Sequence, residues 1–134
     1  MAFSINSPLP RLRSAALARI DAAASAARSR HITNTPGQEI VYSAKLADAT
    51  TYIAAGYPLD TTQYIWIREE ATAAGLPPQA IADAIIAASK RCAIALAKIE
   101  GARASAKKSI ADAGTAAAIY ATESDFMERL RNQQ

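Results

Sequence analysis

Four helix-start signals set in an alanine-rich background constrain this chain more than any other feature. Thr35-Pro36-Gly37-Gln38 and Asp60-Thr61-Thr62-Gln63 each read as a capping box. In that motif a short polar side chain accepts from an orphan backbone N–H, and the glutamine three positions on reaches back. Pro10 and Pro78 stand where a first helical residue belongs, because the N–H that proline lacks has no intrahelical partner there. Roughly a quarter of the residues are alanine, the strongest helix former and one with almost no side-chain entropy to lose. Such a chain folds into helices that can approach one another closely. No window alternates with the period of a strand.

These signals predict an all-α fold of antiparallel helical hairpins or a bundle. An extended arm occupies 1–9, a helical domain 10–121, and a short tail helix the segment 122–134. The domain's helices run over about 10–30, 36–55, 61–74 and 78–120. The first carries an apolar stripe of Leu9, Leu12, Ala16, Ile20, Ala23 and Ala27. In the second, Tyr42, Leu46, Ala49 and Ile53 share a face, Gly56 supplies a left-handed cap and Pro58 a stop. The third aligns Tyr64, Ile67, Ala71 and Ala74, with Ile65 and Trp66 beside them, and closes on Gly75-Leu76-Pro77 in Schellman fashion. The fourth is coiled-coil-like. Its seam runs from Ile81 and Ile85 through Ala88, Cys92, Ala95 and Ile99 to Ala106, Ile110 and Tyr120, with Gly114-Thr115 as the expected kink. Thr122 is expected to cap the tail helix.

Composition removes several function classes. Hydrophobic residues make up 51% of the 134, but with only two Phe, one Trp and two Met much of that share is alanine methyl groups. Each buried carbon is worth about 0.8 kcal/mol, so one copy alone has a thin core and another chain is expected to cover part of its apolar surface. A net charge of +3 and a pI near 9.2 permit an acidic partner without demanding nucleic acid. One cysteine, Cys92, cannot form an intrachain disulfide or a cysteine-rich zinc site. No secretory signal and no membrane-length apolar run is present; Asp83, Lys90 and Arg91 interrupt the best candidate. Arg11, Arg13, Arg19, Arg28 and Arg30 against Asp21 could mark a transit helix. An amphipathic helix with a solvated arginine face accounts for them better, since composition does not change after residue 30.

No set of side chains assembles into a catalytic motif. His31, the one histidine, follows Arg30 with no metal-ligand spacing around it, and Cys92 falls in an apolar seam. Glu69 and Glu70 are adjacent and therefore point in different directions on a helix. The five glycines form no phosphate loop. Lys90, Arg91, Lys98, Arg103, Lys107 and Lys108 could touch nucleic acid, and the second and third helices could mimic a helix-turn-helix. The would-be recognition helix, however, offers Tyr64, Ile65, Trp66, Ile67, Glu69 and Glu70, where base readout needs Arg, Lys, Asn or Gln. No catalytic, cofactor or metal site is expected.

The segments Gln38-Glu39, Tyr42, Lys45 and Tyr52-Ile53-Ala54-Ala55-Gly56 are similar to a recurring stretch of tail-associated and tail-fibre-associated proteins of tailed phages and prophages of proteobacteria. The resemblance continues through Tyr64-Ile65-Trp66-Ile67, Glu70, Ala71 and Gly75, then Ala82 to Cys92, and Ile99-Glu100, Arg103, Lys107 and Ile110. Upstream, Ala18-Arg19-Ile20-Asp21 and Arg28-Ser29-Arg30 also fit, so it covers about residues 15–113. In that family the segment often ends a longer polypeptide.

The resemblance implies a non-enzymatic structural protein of the phage tail, connecting or decorating baseplate or tail fibres through helix-mediated contacts. It would be made in the host bacterial cytoplasm and incorporated into the virion tail. Its expected partners are other tail, baseplate or fibre proteins, or further copies of itself, with no membrane and no nucleic acid. Candidate contact residues are Phe3, Ile5 and Leu9 in the arm and Phe126, Met127 and Leu130 in the tail helix. A tail-fibre assembly chaperone absent from the mature particle is the alternative, and a small DNA-binding regulator a more distant one.

Overall fold

A computed structural model describes residues 7–32 and 37–133, and what it describes is helical without a strand. Five helices follow one another: α1 (Leu9–Ser29), α2 (Gln38–Ala54), α3 (Ile65–Ala74), α4 (Pro78–Asp112) and α5 (Ala116–Arg131). The chain divides into two compact units. One joins residues through 32 to those from 95 onward, and the other spans 33–94. Residues 78–94 of α4 thus belong to the second unit and 95–112 to the first.

In the first unit α1 places Ala16, Ile20 and Ala27 of the predicted stripe in the core, but Ala24 is buried there instead of Ala23, which is only partly buried beside it. Leu9 and Leu12 pack against it half-buried. Ile99, Ala102, Ala106, Ile110 and Ala113 come from α4, and Ile119, Phe126 and Leu130 from α5. Ion pairs fix the register. The Asp21 carboxylate accepts from Arg103 Nε at 2.8 Å and from Lys107 Nζ at 3.2 Å, and Arg103 also donates to Glu100 at 2.9 Å. Arg19 pairs with Glu123 of α5.

The predicted long helix does not reach Tyr120. It ends at Asp112, and Gly114-Thr115 is a full break rather than a kink. Thr115 is extended, and its Oγ1 accepts the Ala118 N–H at 3.1 Å, so it caps a new helix. On the other side of the break, Arg13 Nη2 donates to the Ala113 carbonyl at 2.5 Å. A cation there satisfies an acceptor left over at the C-terminal end of α4. The separate tail helix is absent as well, because α5 runs through Thr122 without interruption.

The second unit centres on Ala49, Tyr52, Tyr64, Ile67, Ala71, Ile81 and Ala82. The Tyr52 ring meets Tyr64 edge-on at 5.0 Å and Tyr57 at 5.8 Å, and its hydroxyl donates to the Pro58 carbonyl at 2.9 Å. Gly56 is left-handed at φ +82°, the cap its position predicts, and the Tyr57 N–H reaches back to the Tyr52 carbonyl at 3.2 Å. Tyr57 is itself left-handed at φ +56°, which is strained for an aromatic residue. Its contact with Tyr52 and a 2.7 Å hydrogen bond from its hydroxyl to Asp83 hold it there. That bond to a carboxylate raises the Tyr57 pKa. Gly75 closes α3 at φ +66°, with the Leu76 N–H on the Ala71 carbonyl at 3.1 Å.

The Asp60 capping box does not start its helix as the spacing predicts, and the Thr35 box falls partly outside the described residues. The N-cap of α2 is Gly37, left-handed and without a side-chain cap bond, while Thr35 and Pro36 lie outside the described residues. Asp60 instead closes a local turn, its Oδ1 accepting the Thr62 N–H at 3.0 Å, and α3 begins five residues later at Ile65. The acceptor for α3 comes from the neighbouring helix: Asp48 Oδ2 takes the Ile67 N–H at 3.0 Å. Helix α2 is also rotated from the expected face. Ala49 and Tyr52 are buried, whereas Tyr42 and Leu46 face outward at 50% and 37% exposure.

Candidate interaction surface

The residues first considered for contact with a partner fall into three groups. Phe3 and Ile5 lie outside the described residues. Leu9 opens α1 and is half-buried against the first unit's core, so any arm stops before it. Phe126 and Leu130 are 3% and 6% exposed, with Met127 packed beside them. Their apolar surface is consumed within the chain because α5 is longer than the expected tail helix. Ile119, Phe126 and Leu130 recur at steps of seven and four along it, which is the spacing of one buried face. That spacing is present in the sequence and identifies them as core.

What remains uncovered lies elsewhere. Among the described residues, the large hydrophobics that stay exposed fall almost entirely in the second unit: Ile40, Leu46, Leu59, Ile65, Trp66 and Ile94 are examples, against Tyr120 in the first. Helix geometry explains α3. Successive side chains turn by about 100°, so Ile65, Trp66 and Ile67 spread over more than half the circumference of the helix. Ile67 points inward and is fully buried, which leaves Ile65 56% and Trp66 36% exposed. Trp66, read from sequence as flanking the Tyr64–Ile67 face, is thus partly exposed. Glu70 on the same helix is paired with Lys45 of α2, and Glu69 is exposed, so the two carboxylates act separately.

Charge is divided differently from apolar surface. The first unit holds eleven basic and six acidic residues, the second four and six. Part of the first unit's positive charge is already neutralised, since Arg103 and Lys107 are bound to Asp21. Their pull lowers the Asp21 pKa, Lys107 contributing most and Arg103 next, and Arg103 is in turn raised by Asp21. The row of six cations on α4 thus presents Lys90, Arg91, Lys98 and Lys108 outward, and devotes two members to holding α1 in register.

His31 is exposed in the turn after α1, and Cys92 is half-buried on α4, each in a different unit. Of the apolar seam expected along α4, Cys92 is only half-buried and Ala88 is exposed. Among the described residues, no three His, Cys, Asp or Glu side chains converge as metal ligands. A shallow groove of about 170 Å³ between α4 and α5 is lined by Ser105, Ser109, Thr122, Asp125 and Arg129 over Ala106 and Phe126. Among the described residues, no helix is long and apolar enough to cross a membrane. Comparisons with protein-family models, curated proteins and solved structures found no match.

Proposed function

We propose that the chain is a non-enzymatic structural component of a phage tail, joining or decorating baseplate or fibres through apolar helix faces of its second unit. The observation that supports this most is the placement of Ile65 and Trp66 on the outer side of α3, with Leu46 exposed on α2. Large apolar side chains left exposed on a helix are candidates for a surface that another protein covers. The resemblance of residues 15–113 to tail-associated segments supplies the biological setting. Phe3 and Ile5 remain candidates for the same contact, whereas Phe126 and Leu130 are withdrawn from it.

The test is mass spectrometry of purified particles together with sedimentation of the isolated protein. A virion subunit is present at a fixed copy number, and Trp66→Ser reduces its incorporation while the helices stay folded. Absence from mature particles, with binding to free fibre protein, replaces this reading with an assembly chaperone. Steeply salt-dependent DNA binding by a strictly monomeric protein replaces it with a regulator.

A further inference from the structure

We draw no further inference here: the strongest candidate, the outward face of α3 that carries Ile65 and Trp66, belongs to the surface already described, and nothing in the structure shows what covers it.

Discussion

Replacing Asp48 should destabilise the second unit more than replacing Asp60, although local sequence points to Asp60 as the helix cap. Asp48 Oδ2 accepts the Ile67 N–H at 3.0 Å in a partly buried setting, and Ile67 is the third residue of α3. Removing such an acceptor strands a backbone donor at a helix start and takes a negative charge away from the positive end of the helix. Cap deletions cost about 0.5–2 kcal/mol, and loss of the favourable dipole interaction adds about 0.3–1 kcal/mol. Partial exposure argues against the top of both ranges, so Asp48→Ala should cost about 1.5 kcal/mol. For a cooperative unit of this size that is a drop in Tm of about 6–12 °C. Asp60→Ala loses an exposed turn bond to Thr62 and should cost about 0.5 kcal/mol or less. Asp48→Asn keeps an acceptor of the same shape and should recover at least half of the loss. Thermal melts followed by circular dichroism at 222 nm, with urea titrations of the same variants, give both numbers. If Asp60→Ala proves as harmful as Asp48→Ala, or if Asn does not rescue, the cap from α2 is not what starts α3.

Four other outcomes are expected. Thr115→Ala should cost the first unit about 1 kcal/mol and Thr115→Ser much less, since the hydroxyl on the Ala118 N–H is the cap; equal losses in a urea titration would mean the methyl group matters more. Phe126→Ala should cost about 3–5 kcal/mol as a core truncation, so lost binding with an unchanged melting curve would return Phe126 to the contact surface. The Asp21 pKa is lowered on folding, so its contribution is present above the unfolded carboxylate pKa of about 4 and fades as pH falls through the folded value. The Tm difference between wild type and Asp21→Asn should therefore shrink between pH 6 and pH 3, and a gap that widens on acidification contradicts the pairing with Lys107 and Arg103. Finally, Trp66→Ser should weaken self-association or capture of a tail protein in sedimentation while the circular dichroism spectrum stays helical; unchanged association removes α3 from the proposed surface.

What could be read from sequence depended on how local the cause was. Pro78, Gly56 and Gly75 act through their own backbone angles, and each lies where its residue type requires. The α1 stripe was legible because Leu9, Leu12 and Ile20 mark one face unambiguously. Alanine marks none. The face of α2 and the end of α4 are not legible where alanines stand on several sides and more than one register fits. The cap of α3 was invisible for another reason: Asp48 lies nineteen residues before Ile67 and meets it only after α2 and α3 have packed. The exposure of Trp66 likewise depends on Ile67 having taken the inner position, a choice between neighbours that composition does not make.

The division of the chain bears on the order in which it is made. The second unit is one continuous stretch, so it can close as soon as residue 94 has emerged. The first unit cannot, because α1 awaits partners that begin at residue 95; Arg13 meets Ala113 across a hundred positions and Arg19 meets Glu123 across more. At about 5–20 residues per second, α1 waits about 5–20 s on the ribosome with Ile20 uncovered. The nascent chain therefore carries a finished unit alongside an unpaired amphipathic helix. That interval is the time in which a second nascent chain or a chaperone has access to a face that the completed protein conceals.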